Sequence, residues 1–219
     1  MNDQVKIGAI LLAAGAATRL HRRPKSLLEL NGVALIRRQI MAYEAARIAS
    51  IIVVLGHYAD HIEPHCQSLS GLPITSVRNP YPDDGLASSL RVGLASLPND
   101  LAAFVVGLAD QPLIDAQAVR DLIHAYYTRP NHAQAVVPMM GEQRGNPVIF
   151  SAQVKAEILA ENNQFGGREW QNAHPNLVHF YQTQNDHYCR DIDTEADIVQ
   201  FAEDTGYRLA WPKALTSPR

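Results

Sequence analysis

The run from Ile7 to Leu12 is continuously apolar and ends in small residues, Ala13, Ala14 and Gly15. Apolar residues without alternation predict a strand buried on both faces, as in a parallel sheet, that feeds a loop. Ile36, Ile40, Tyr43 and Arg47 then fall at helical spacing, and 51–55 is a second short apolar run. The pattern continues with a helix near 58–67, a strand near 74–77, a helix near 87–97 and a strand at 104–108. Strands that alternate with helices predict a mostly parallel sheet covered on both faces, a three-layer α/β/α, Rossmann-like architecture.

The alternation loosens after a helix that starts near Asp115. Two apolar runs, 135–139 and 146–150, flank G-E-Q-R-G, which predicts a hairpin and therefore a mixed sheet. The segment D-I-D-T-E-A-D-I-V-Q-F-A-E-D-T-G predicts a further helix, with Asp193 or Thr194 as its N-cap and Gly206 as its stop. The closing K-A-L-T-S-P-R reads as a frayed tail. No internal repeat and no linker rich in Gly, Ser or Pro interrupts the 219 residues, so one domain is expected.

Charge narrows the class of partner. The formal net charge is −3, so no overall basic field exists to hold a nucleic-acid backbone, and a phosphate site must be local. Cys66 and Cys189 form neither a C-x-x-C pair nor a zinc-ligand pattern, as in a reducing compartment. The opening M-N-D-Q-V-K-I-G-A-I-L-L-A-A-G falls far short of the roughly 20 apolar residues of a membrane span. It also lacks the order of charge, apolar core and cleavage site of a signal peptide, which points to a cytoplasmic protein without a membrane partner.

The most informative stretch is L-A-A-G-A-A-T-R-L-H-R-R-P-K-S-L-L-E-L. Leu12, Ala13, Ala14 and Gly15 let backbone N–H groups approach a ligand closely, and Arg19 and Lys25 add positive charge, the outline of a triphosphate cradle. Two commoner phosphate loops are excluded. A dinucleotide fingerprint needs three glycines where only Gly15 stands, and a P-loop needs Gly before the lysine where Pro24 stands. Asp110 directly follows the apolar run at 104–108, at the strand edge where open α/β sheets collect ligands, and a carboxylate there can hold Mg²⁺ or serve only as a turn former. Asp191 and Asp193 are two apart, so an extended chain points both to one side, although capping the next helix competes for the Asp193 carboxylate. Gly85, Ser88 and Ser89 open a predicted helix whose N–H groups suit a nucleotide's polar edge. No G-x-S-x-G elbow supports a nucleophilic serine. His57, His61 and His65 recur every four residues, but Pro64 is expected to end their helix before His65 aligns, and a solvated polar face explains the row.

These motifs carry a resemblance. L-A-A-G-x-x-T-R…P-K-x-L-L-x-L resembles the signature of the nucleotidyltransferase superfamily that includes the sugar-1-phosphate nucleotidyltransferases. N-P-Y-P-D-D-G-L-A-S-S-L-R-V-G-L, G-L-A-D-Q-P-L-I, G-E-Q-R-G-N-P-V-I-F, F-G-G-R-E-W-Q-N-A-H-P-N-L-V and D-I-D-T-E-A-D-I follow in register the molybdenum-cofactor cytidylyltransferase branch of the MobA-like NTP transferases. The resemblance implies the nucleotide-diphospho-sugar transferase fold, with a nucleotide-binding half over about 5–130 and an acceptor half plus C-terminal helix over about 131–206. It also implies Mg²⁺, with Mn²⁺ as a substitute, held by Asp110 and Asp193 with Asp191 beside them, and an acceptor loop at Gly145, Asn146 and Pro147. The Ala13–Ala14 pair is similar to the cytidylyltransferase form of the motif, which favours CTP. Molybdenum cofactor is then the phosphorylated acceptor, and a molybdoenzyme or its chaperone the protein partner.

The first loop departs from that branch. Ala17 stands where Ser is usual, His21 where Gly is usual, and one more residue precedes Lys25, as in the longer loops of the sugar-nucleotide enzymes. A sugar-1-phosphate nucleotidyltransferase is the alternative of the same chemistry. A non-catalytic cofactor-binding accessory protein and an NAD-linked reductase are alternatives of other classes.

Overall fold

The computed structural model describes residues 5–69 and 71–215. The opening Met-Asn-Asp-Gln and the last four residues of the expected tail lie outside them. In chain order the elements are β1 (Ile7–Ala13), β2 (Glu29–Leu30), β3 (Val33–Ala34), α1 (Leu35–Ala45), β4 (Ser50–Leu55), α2 (Ala59–Gln67), β5 (Ile74–Arg78), α3 (Gly85–Ser96) and β6 (Ala103–Leu108). There follow α4 (Ala116–Thr128), β7 (Ala135–Met140), β8 (Gln143–Arg144), β9 (Val148–Ser151), α5 (Gln153–Ala160), α6 (Gly167–Ala173), β10 (Val178–Gln182), α7 (Glu195–Thr205) and β11 (Leu209–Ala210).

The main sheet has the order β10-β7-β9-β6-β1-β4-β5, with β8 paired to β7. Strands β6, β1, β4 and β5 are mutually parallel, whereas β9 runs antiparallel between β6 and β7. The sheet is therefore mixed and mostly parallel. The predicted hairpin exists at Met139–Arg144, where β8 folds back on β7. The chain then leaves β8 through Gly145–Pro147 and re-enters the sheet as β9.

Burial on both faces explains the unbroken apolar run of β1. Ile7, Ala9, Leu11 and Ala13 pack with Ile36 and Ile40 of α1, Ile62 of α2 and Leu122 of α4. Ile10 and Leu12 face the opposite side, among Leu90 and Leu94 of α3, Ile158 of α5 and Trp170 of α6. Helices thus cover both faces, and the three layers follow. Chain order steps from β1 to β4 and β5 on one side and then jumps to β6 on the other. Such a switch point leaves a crevice beyond the carboxyl ends of the strands, because the connecting helices diverge to opposite faces.

A third cluster lies outside the main sheet. Leu20, Leu28, Leu30 and Leu35 pack with Ile192, Phe201 and Leu209. There β11 pairs with β2, and β2 with β3, so the C-terminal helix α7 is tied to the loop that follows β1. The β2–β3 hairpin turns through Asn31 (φ 55°) and Gly32 (φ 76°), both in the left-handed region that a two-residue hairpin turn needs.

Several expectations are corrected. Helix α1 stops before Arg47, which takes φ 61° and cannot continue it. Pro64 does not end α2, which runs through it to Gln67. Of the expected tail, Lys213–Leu215 form a 3₁₀ turn and Leu215 packs against the first core cluster.

Candidate active site

The carboxyl ends of β1 and β6 open into a cleft of about 440 Å³. Its walls bring together Leu12, Ala13, Ala14 and Gly15 from the end of β1, Lys25, Gly85 and Ser89 at the start of α3, Asp110 after β6, and Asp191 and Asp193 before α7. Positions 168 residues apart in the chain meet there. Lys25 Nζ donates to Asp110 Oδ2 and to Asp193 Oδ1, each at 2.6 Å. The Lys25 and Asp110 side chains are only 19% and 17% exposed, so water screens this pair weakly.

Local sequence explains how each charge arrives. In P-K-S-L-L, Leu27 and Leu28 are pulled into two different cores and Ser26 is buried, which leaves Lys25 to face the cleft. Asp110 follows immediately where β6 ends. Thr194, not Asp193, caps α7: its Oγ1 accepts from Asp197 N at 3.2 Å, while Asp197 Oδ2 accepts from Thr194 N at 2.7 Å and from Asp193 N at 2.9 Å. The cap therefore releases the Asp193 carboxylate for Lys25. The competition between capping and ligation does not arise.

The electrostatics are those of a concentrated acidic site with one cation inside it. Burial works to lower the Lys25 pKa, but the facing Asp110 and Asp193 carboxylates outweigh it and hold the ammonium above its usual 10.5. Asp191 has its carboxyl raised, first by desolvation and then by repulsion from Asp110 and Asp193. Asp110 Oδ1 is buried and has no hydrogen-bond partner among the described residues. No group of three or more His, Cys, Asp and Glu residues is arranged as a ready metal cage among the described residues. Around Asp110 and Asp193 the ammonium of Lys25 takes the central place. The chemistry of the donors nevertheless suits a hard divalent cation: Asp110 and Asp193 offer carboxylate oxygens, and Asp110 keeps one oxygen without a partner among the described residues.

The first loop is held under backbone strain. Ala17 (φ 47°), His21 (φ 53°) and Arg22 (φ 56°) all sit in the left-handed region, at a cost of about 1–2 kcal/mol each for a non-glycine residue. Leu20 anchors the loop in the third cluster, Arg23 stacks on Trp211 at 4.9 Å, and Tyr58 donates its hydroxyl to Ala16 O at 2.8 Å. Among the described residues, none but its own chain neighbours comes within 4 Å of where a Cβ on Gly15 would stand, so its backbone is bare at the cleft. The Ala14 methyl lies against Gly56, where an added Cβ would come within 2.8 Å of it.

Other expected residues sit elsewhere. Arg19, in the turn Thr18–Leu20, is exposed and outside the cleft lining. Ser88 also lies outside it, its hydroxyl donating to Tyr81 O at 3.2 Å. Asn79, buried and unforeseen from sequence, donates to both Ser88 Oγ (3.1 Å) and Ser89 Oγ (3.0 Å), fixing the start of α3. Gly145, Asn146 and Pro147 are not in the cleft lining but are tied to the segment that carries Asp191 and Asp193: Asn146 N donates to Tyr188 O at 2.8 Å, and a Cβ on Gly145 would strike Tyr188 Cβ at 2.7 Å. His57 Nε2 lies 3.1 Å from Asp83 Oδ1 rather than in a histidine row.

With this geometry in place, the comparison with known proteins is decisive for the family. The sequence matches the MobA-like NTP transferase domain over residues 9–178. The chain belongs to that family. Among curated relatives of this MobA-like chain, the "Bifunctional IPC transferase and DIPP synthase" of Rubrobacter xylanophilus is 33% identical over 137 residues, 58% of this chain and 30% of that protein. The "Bifunctional protein GlmU" of Mycobacterium ulcerans is 31% identical over 152 residues, 67% of this chain and 31% of that protein. The chain thus spans less than a third of either relative. Among solved structures, Rv0371c of Mycobacterium tuberculosis in complex with manganese superposes with a TM-score of 0.70 at 24% identity, covering 91% of this chain and 100% of that one. That likeness establishes the nucleotide-diphospho-sugar transferase fold for the MobA-like chain.

Proposed function

We propose that this protein is a divalent-metal-dependent nucleotidyltransferase that joins an NTP to a phosphorylated small molecule and releases pyrophosphate. One observation carries the reading: the bare loop after β1, the Lys25 ammonium and the carboxylates of Asp110, Asp191 and Asp193 line a single cleft at the switch point of the sheet. Lys25 stabilises charge on the triphosphate, and the backbone of Leu12–Gly15 and the N-terminus of α3 at Gly85 and Ser89 receive the nucleotide. Asp110 and Asp193, with Asp191 beside them, would hold Mg²⁺ or Mn²⁺, which when bound neutralises phosphate charge and aligns the two substrates. The manganese complex of the similar fold supports that choice of ion. Arg19 contributes to the triphosphate field from outside the cleft wall. No general base is required of the protein, because a phosphate acceptor is already ionised at neutral pH, and positioning carries most of the rate.

At finer grain, we read the reaction as CMP transfer from CTP to molybdopterin-type cofactor in the cytoplasm, with Gly145–Pro147 on the acceptor side. The ordered motifs and the Ala13–Ala14 pair support it, and a molybdoenzyme or its chaperone would then receive the product. A sugar-1-phosphate acceptor is the second reading, favoured by the longer loop before Lys25. The close grouping of Lys25, Asp110 and Asp193 counts against a purely cofactor-binding role. Among the described residues no helix is long and apolar enough to cross a membrane.

The test is a screen of CTP, GTP, UTP, dTTP and ATP against molybdopterin and a panel of sugar 1-phosphates, read as pyrophosphate release with Mg²⁺ or Mn²⁺. Release that requires one acceptor, one metal and an intact Asp110 is the expected result. Metal-independent release, or none with any pair, would overturn the proposal.

A further inference from the structure

Gln39 occupies a position where the pattern of α1 calls for an apolar residue. It lies between Ile36 and Ile40 on the buried face and is 1% exposed. Burying an amide is costly unless its polar atoms are satisfied, and here Oε1 has no partner among the described residues. Both amide hydrogens, however, are used. Gln39 Nε2 donates to Leu108 O at 2.5 Å and to Gln111 O at 3.1 Å. Those two carbonyls bracket Asp110 in the chain, just where β6 ends and its ladder partners run out.

A second buried glutamine extends the chain of bonds. Gln111, 2% exposed, donates its own Nε2 to Tyr188 O at 2.9 Å. The same carbonyl accepts Asn146 N at 2.8 Å, and Asp110 O accepts Ile192 N at 3.1 Å. From α1, therefore, hydrogen bonds reach the Asp110 turn, the segment that carries Asp191 and Asp193, and the Gly145–Pro147 loop. None of these segments is adjacent in sequence. A polar residue that breaks a local packing rule without gaining stability is expected where geometry at a site needs it.

We propose that Gln39 is a positioning residue, which through the Leu108 and Gln111 carbonyls fixes the Asp110 carboxylate relative to Asp191, Asp193 and the acceptor-side loop. This rests on the reading of the cleft as a metal–nucleotide site. The Gln39 side chain is not in the cleft lining. Loss of a residue that orients a metal ligand typically lowers metal affinity roughly 10- to 100-fold. Gln39→Met keeps the volume of the side chain and removes both donors, so that loss is expected without a cavity.

The experiment is electron paramagnetic resonance titration of Mn²⁺ into the protein with each of the four common ribonucleoside triphosphates. Wild type, Gln39→Met and Gln111→Met are compared with Val154→Ala, a core truncation in α5 on the opposite face of the sheet. All are read at a temperature where circular dichroism shows them folded. Weaker Mn²⁺ binding in Gln39→Met and Gln111→Met, with wild-type binding in Val154→Ala, is the expected result. If Gln39→Met does not fold, the same comparison rests on Gln111→Met, which cuts the relay without altering α1. Wild-type Mn²⁺ affinity in the folded glutamine variants, or an equal loss in Val154→Ala, would overturn the positioning role. Absence of Mn²⁺ binding by the wild type with every nucleotide would instead overturn the metal-site reading, and this role with it.

Discussion

Replacing Lys25 by Met should move metal affinity and catalytic rate in opposite directions. Lys25 Nζ stands 2.6 Å from both Asp110 Oδ2 and Asp193 Oδ1, on the two carboxylates that would hold a divalent cation. One cation against the three carboxylates of Asp110, Asp191 and Asp193 makes a formal charge of −2 in the cleft wall (+1 − 3), and the substitution makes it −3. Two unit charges 4 Å apart at an effective dielectric of 20 interact by about 4 kcal/mol. With water at the cleft mouth and a flexible lysine that can swing aside, about 1.4–2.8 kcal/mol of competition is left, or roughly 10- to 100-fold in affinity. The free Lys25→Met protein should therefore bind Mn²⁺ that much more tightly, while pyrophosphate release falls roughly 100-fold or more because the triphosphate has lost its cation. Mn²⁺ titration without nucleotide, run beside a pyrophosphate assay, reads both. Unchanged or weaker Mn²⁺ binding in the variant would refute the placement of Lys25 as the resident counter-ion.

The same substitution carries a pH signature. Because the folded protein holds Lys25 above 10.5, the stability from its two ion pairs is fully present below pH 10.5 and is lost as pH rises through the folded-state value. The difference in Tm between wild type and Lys25→Met should stay constant from neutral pH to 10.5 and shrink only above it.

Asp110→Asn should abolish transfer while leaving the fold intact, since the amide is nearly isosteric but carries no charge for a hard cation; full turnover in this variant, or in EDTA, would contradict the metal assignment. Thr194→Ala should cost about 1 kcal/mol of stability through loss of the α7 cap, read as a lower denaturation midpoint, and an unchanged midpoint would deny the cap its role. His21→Gly should raise stability by up to about 1 kcal/mol by relieving a left-handed backbone at φ 53°, measurable by the same titration. CTP should outcompete GTP, and Ala14→Gly, which frees space between the first loop and Gly56, should narrow that preference by about 1–3 kcal/mol in a direct competition assay.

Hydrophobic order along the chain was enough to read much of the architecture. The runs at 7–12, 51–55 and 104–108 are strands because only a buried parallel sheet tolerates apolar side chains on both faces. The β2–β3 hairpin passed unread although Asn31–Gly32 signals it, because its strands are two residues long and carry no usable alternation. Helices α5 and α6 and edge strand β10 were equally silent: short elements gain their stability from packing on Phe104, Phe150 and Trp170 rather than from their own pattern.

At the candidate site, the residue types and their order were legible, since Lys25, Asp110 and Asp193 stand in spaced motifs whose chemistry is visible in one dimension. Which oxygen atoms face which charge was not. Thr194 or Asp193 could equally have capped α7, and only the capping box with Asp197 settles the choice. Nothing in the pattern of α1 singled out Gln39, and the exposed position of Arg19 outside the cleft lining, between the left-handed turns at Ala17 and His21, is a tertiary fact. The sequence by itself determined the layers and the chemical inventory, because periodicity and side-chain identity are local properties. The tertiary structure alone decided the meeting of Lys25 with carboxylates 85 and 168 positions away, because that depends on sheet order and on the packing of α7 against the first loop.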